Sequence, residues 1–234
     1  GAFLHSCFYN KNEYHKTNND KWHKEKPLSL DQYKVFNLIM DVTELKVLLI
    51  LESPYINEYI HQHPAAGESA LELTQFLIAQ GYVKSFDAQL PIGCNIKILN
   101  YKPLGILNCS TLPLNKAFYP CALSSDDLSQ VDSLAAIKQS LDQNNLKESP
   151  IYLKETGVFK DFVSRLTEVL EQAPTDILIV PCGDTALGFM EAFKGGYQKP
   201  LMVLNGLPHP TEPDWAEKIA TIDLTACITL ETLP

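Results

Sequence analysis

The chain reads as an α/β protein: a three-layer α/β/α sandwich around a central, mostly parallel four-stranded sheet. Three observations predict this. Short, nearly continuous apolar runs stand at 46–51, 104–109, 176–181 and 201–204, and runs of that length closed by polar punctuation are the pattern of strands buried on both faces. Segments with helical spacing separate them, and strands alternating with helices build parallel sheets with right-handed crossovers. Each run also ends in residues capable of chemistry: Glu52, Ser53 and Tyr55; Asn108, Ser110 and Thr111; Cys182 and Asp184; His209 and Thr211. In a parallel sheet those ends share the carboxyl edge, where ligands bind in open α/β folds.

Taken in order, residues 1–27 form a polar N-terminal extension and residues 28–234 one domain. The extension is locally basic, with five lysines between Lys11 and Lys26 against Glu13, Asp20 and Glu25. A solvated segment is the plainer reading and an arm touching a polyanion the functional one. Ser29 or Asp31 caps a predicted helix reaching about Met40, with Tyr33, Phe36, Leu38 and Ile39 as its apolar positions. The run 46–51 is the first strand, and Pro54 prevents its continuation. Residues 52–67 read as a loop. The two imidazoles of His61-Gln62-His63 lack a carboxylate or cysteine at ligand spacing, so an exposed loop is expected rather than a metal site.

Glu68 or Ser69 opens a helix to Gln80, terminated by Gly81. The apolar segments 95–100 and 104–109 are separated by Lys102-Pro103, and the second is the next strand. Ser124-Ser125-Asp126-Asp127 caps a helix over about 126–143; 144–156 is connector, and 158–172 is a helix with good 3.6-residue spacing. The strand 176–181 turns through Cys182-Gly183-Asp184-Thr185 into a helix reaching about Phe193. Gly195-Gly196 breaks the chain before the last strand, 201–204.

Composition narrows the function classes. The 234 residues are 45% hydrophobic and 20% charged, and no apolar run approaches the roughly 18 residues of a membrane span. No leader pattern follows Gly1, so a cytoplasmic protein is expected. The six cysteines include no Cys-x-x-Cys pair, which argues against iron–sulfur or structural zinc sites. Cys182, between a strand and a helix start, is read as a buried thiol in preference to a thiolate nucleophile. The net charge is −9 and Arg165 is the one arginine, which is thin equipment for a broad phosphate-gripping surface.

Four segments resemble motifs of the uracil-DNA glycosylase superfamily, in the family's order. Glu52-Ser53-Pro54-Tyr55-x-x-Glu58 with Pro64-Ala65-Ala66-Gly67 is similar to its first motif. Leu107-Asn108 is similar to the strand whose terminal asparagine reads the uracil edge. The segment 179–186 looks like the penultimate strand–glycine–helix turn, and Leu207-Pro208-His209-Pro210-Thr211 resembles the His-Pro-Ser motif. Together they span about 46–211. The resemblance implies excision of uracil or a damaged base flipped out of single- or double-stranded DNA, with no cofactor and no metal.

The roles it implies suit the chemistry. Breaking an N-glycosidic bond leaves positive charge on the sugar and negative charge on the base. His209 would stabilise the departing base, and Asn108 would read its edge with a donor and an acceptor. Glu52 and Ser53 would position water, with Glu58 as a further candidate carboxylate. Tyr55 would occupy the space of thymine's methyl group, and Pro54, Gly67, Ser69, Pro210 and Thr211 would hold phosphate. Two departures stand out. Ser53 replaces the water-activating aspartate of the most active branch, and Ala65 or Ala66 replaces the aromatic that stacks on the base. A catalytically weak module binding a nucleobase, nucleotide or protein is therefore the alternative.

Overall fold

The computed structural model describes residues 30–119, 123–143, 153–204, 207–208 and 217. Its centre is a four-stranded, all-parallel sheet in the order β2-β1-β3-β4. β1 (Val47–Leu51) and β2 (Leu104–Asn108) are wholly buried, as is β3 (Leu178–Pro181), while β4 (Met202–Val203) is short and partly exposed. The register runs from Val47 opposite Leu104 to Leu51 opposite Asn108, and Val47 also pairs with Leu178. The apolar runs thus become the buried strands, because only side chains free of polar atoms can fill both faces of a covered sheet.

Helices lie on both faces. On one, α1 (Ile56–His61), α2 (Ser69–Ala79) and α3 (Ile92–Leu99) follow β1. There Leu73, Leu77, Ile92 and Ile96 pack with Leu49, Leu51, Ile106 and Val180. On the other are α4 (Ser125–Gln143), α5 (Gly157–Gln172) and α6 (Asp184–Lys194). Here Ile137, Phe162, Leu166 and Phe189 pack with Leu48, Ile50, Leu107 and Ile179. Successive strand residues point to opposite faces, so the alternating residues of β1 divide cleanly between these two cores. No described helix is long and apolar enough to cross a membrane.

Two expectations are corrected. The helix predicted to reach Met40 is only a 3-10 turn, Leu30–Tyr33, after which the backbone runs to a bridge between Leu38 and Ile106. Val35 and Leu38 donate to the carbonyls of Thr111 and Ile106 at 2.8 Å each. The segment covers the outer edge of β2, and satisfying that edge's backbone groups outweighs a weak helical pattern. The loop expected over 52–67 contains α1, a six-residue helix. The N-terminal extension, and Ser29 with it, lies outside the described residues.

Candidate functional site

The order β2-β1-β3-β4 reverses direction on either side of β1, so the switch point of the sheet falls at the carboxyl ends of β1 and β3. Glu52 and Ser53 leave β1 there, and Cys182-Gly183 leaves β3. Gly183, at φ +86°, takes a positive-φ conformation open to glycine that turns the strand directly into α6. Leu207 is bridged to Cys182, and the Gly183 N–H donates to its carbonyl at 2.9 Å. The start of the last motif therefore stands at the same edge as the first. His209, Pro210 and Thr211 lie outside the described residues.

Asn108 closes β2 beside Leu51. By alternation its side chain shares the face of Leu104 and Ile106, the side covered by α2 and α3. It is 2% exposed, and neither its amide nitrogen nor its amide oxygen has a hydrogen-bond partner among the described residues. A buried amide left so costs about 1–3 kcal/mol. A planar ligand carrying an adjacent donor and acceptor would satisfy both atoms at once.

Glu52 belongs to the opposite layer. Lys138 of α4 donates to Oε1 at 2.6 Å, and the Thr185 hydroxyl, at the start of α6, donates to Oε2 at 3.0 Å. Both carboxylate oxygens are thus engaged by groups on the side away from Asn108. Ser53 is buried and its Oγ accepts from the Leu114 N–H at 3.2 Å, which leaves the hydroxyl's own proton available. Pro54 is buried beside it. Tyr55 is half-buried, its ring 4.3 Å centroid to centroid from Phe118.

Glu58 is the carboxylate on the Asn108 side, and it acts on backbone. One oxygen accepts from the Tyr55 N–H at 2.8 Å; the other accepts from the Ala65 N–H. It thereby ties the start of α1 to a tight turn in which Gln62 and Ala65 both adopt positive φ. Burial pushes its carboxyl up to about 7 against the opposing pull of those two amides. The sign follows: with the folded value above the ordinary 4.5, this group's favourable contribution is complete below pH 4.5 and lost as pH rises to about 7. At 1.36 kcal/mol per pH unit the difference is about 3 kcal/mol. His63, lowered by burial to about 4, contributes the opposite slope between about pH 4 and 6.5. The measurement is therefore the difference between wild type and Glu58→Gln in urea unfolding from pH 4.5 to 8. The wild type is expected to lose about 3 kcal/mol relative to the variant as pH rises, and parallel profiles would assign the pH dependence elsewhere.

His63 corrects a third expectation, that 61–63 is an exposed loop, although Gln62 is exposed as expected. His63 is buried, and burial lowers its imidazole to about 4 despite the bond to the Pro64 carbonyl. Nδ1 lies 3.0 Å from that oxygen and Nε2 4.0 Å from Cys94 Sγ. Since a carbonyl only accepts, the neutral ring carries its proton on Nδ1. Among the described residues no group of three or more His, Cys, Asp or Glu side chains is arranged to hold a metal ion. Burial likewise raises the Cys182 thiol to about 12, so the buried-thiol reading describes it and a thiolate nucleophile does not.

Ser69 begins α2, and Gly67 precedes its capping residue, Glu68. The next two amides, of Ala70 and Leu71, donate to the Gly67 and Glu68 carbonyls, and the exposed Glu68 sets a negative charge at the helix start. That end is less inviting to phosphate than its sequence suggests.

Two participants escaped the sequence reading. Lys138 is the one basic residue of the polar helix α4, and nothing in its local sequence marks it as Glu52's partner. Composition alone presents Arg165 only as thin equipment for gripping phosphate. Its spacing from Asp161, four residues earlier on α5, was the available signal, and the two are paired at 2.8 Å. No family model matches the chain, and a search of curated proteins found no similar sequence.

Proposed function

We propose that the protein is a uracil-DNA glycosylase-like hydrolase that flips uracil or a damaged base out of DNA and cleaves its N-glycosidic bond. The observation that carries this reading is Asn108, a buried amide with both polar atoms unpartnered among the described residues, at the edge where α/β proteins bind ligands. An apolar surround with one donor–acceptor pair suits a neutral heterocycle with an N–H beside a carbonyl, and uracil is such a ring. On this reading the bond between sugar and base breaks with its electron pair on the base, His209 donates a hydrogen bond to that developing anion, and water completes the sugar. Ser53, whose hydroxyl proton has no acceptor among the described residues, positions the water. DNA is the partner, no cofactor or metal enters the reaction, and the setting is cytoplasmic and one of base-excision repair.

One observation favours the alternative, a weak or inactive module that only binds the base. Glu52 is held by Lys138 and Thr185, and Glu58 by two backbone amides, so neither carboxylate stands ready as a strong general base. Single- and double-stranded oligonucleotides containing one uracil, incubated with protein and then cleaved with alkali, separate the two. Abasic product that depends on uracil is the expected result. Its absence at stoichiometric protein would defeat the hydrolase reading, and uracil-selective retention without cleavage would establish the binding module.

A further inference from the structure

The single arginine of this acidic chain is 12% exposed and makes four polar contacts. Its Nη1 donates to the Asn108 carbonyl and to Asn37 Oδ1, each at 2.9 Å, and its Nη2 donates to the Cys109 carbonyl at 3.1 Å. Nε is held by Asp161 at 2.8 Å. The guanidinium comes from α5, on the layer opposite the Asn108 side chain, so it grips the backbone from behind and leaves the amide clear. It also joins three segments distant in sequence: the strap at Asn37, the end of β2 and α5.

We infer that Arg165 is a positioning residue for Asn108: by clamping two consecutive carbonyls at the end of β2, it sets the direction in which the base-reading amide points. This rests on the proposed reading of Asn108 as the base reader. The geometry asks for arginine. A planar fork with five fixed donors can span adjacent carbonyls, an amide oxygen and a carboxylate together, whereas the compact ammonium of lysine cannot hold all four. The pairing with β1 continues past this point, the Cys109 and Ser110 N–H groups donating to the Leu51 and Glu52 carbonyls at 2.8 and 3.1 Å, and the guanidinium adds to it a grip on the Asn108 and Cys109 carbonyls from the α5 side. Small errors of aim are costly for a donor–acceptor pair read in two places at once.

The test is selectivity rather than stability. Retention of single-stranded oligonucleotides carrying one uracil or one cytosine is measured for the wild type, Arg165→Lys and Phe162→Leu. The last loosens the buried core of the same helix while removing none of Arg165's four contacts. Arg165→Lys is expected to lose roughly 10- to 100-fold of the uracil preference, while Phe162→Leu keeps the wild-type ratio despite a comparable fall in Tm. Asn37→Ala, which removes one of the four contacts, is expected to fold and to lose several-fold in the same direction, and it stands in should Arg165→Lys fail to fold. A wild-type ratio in Arg165→Lys, or in Asn37→Ala where that variant stands in, overturns the inference while leaving the reading of Asn108 intact. No uracil preference in the wild type overturns both.

Discussion

Asn108→Leu is expected to be more stable than the wild type and unable to distinguish uracil. Leucine has asparagine's heavy-atom count and branching with bulkier methyl groups and no polar atoms, and the position is 2% exposed on a face already formed by Leu51, Ile106 and Val180. Removing an amide whose two atoms have no partner among the described residues relieves a desolvation cost of about 1–3 kcal/mol. Urea unfolding should show a gain of that order, with an unchanged m-value. In the oligonucleotide assay the same variant should retain uracil no better than cytosine. Most buried substitutions destabilise, so a gain here would mark a site kept polar for a ligand. A loss of stability both here and in the smaller Asn108→Val would show that the amide is already satisfied in the free protein, and the central argument for a base-binding site would fall.

Gly93→Ala is expected to be among the most damaging single-methyl additions in the chain. Gly93 lies in the first turn of α3, and its N–H donates to the Ala65 carbonyl at 3.0 Å. A Cβ there would overlap the Pro64 carbonyl oxygen and come within 2.8 Å of the Ala65 oxygen and 2.9 Å of His63 Nδ1. Two of these neighbours are backbone, in a turn already held at positive φ and tied to Glu58. Either the turn shifts or α3 lifts Ile92 and Ile96 off the sheet. Overpacking of this kind costs about 3 kcal/mol or more, which for a chain of this size lowers Tm by roughly 10 °C. Gly157→Ala, at the start of α5 with nothing within 4 Å of the added carbon, is the matched control and should change Tm little. Similar melting of the two variants would mean that the close approach of α3 to the turn is not maintained in solution.

The parts legible in the sequence are those governed by local pattern. The runs that become β1, β2 and β3 are bounded by residues that cannot extend a buried ladder, and the amphipathic spacing of 158–172 survives almost unchanged as α5. The motif residues at strand ends were legible for the same reason: strand direction alone delivers Glu52, Ser53 and Asn108 to one edge. The segment 31–40 was not. Its helical spacing is weak, and the exposed backbone of β2, more than fifty residues onward, decided its conformation.

The site divides in the same way. That Glu52 and Asn108 share an edge follows from sequence, but their separation into opposite layers depends on register and on which helix covers each face. Glu52's pairing with Lys138 spans 86 residues, and Arg165's grip on the end of β2 spans 57; no periodicity encodes either. Sequence by itself determined the α/β class, the strand positions and the set of polar groups delivered to one edge, because burial and backbone geometry act over a few residues at a time. Which carboxylate is neutralised, which amide is left without a partner and which charge stands behind it were decided by tertiary packing, because hydrogen bonding in a dry interior depends on neighbours that only the assembled layers bring together.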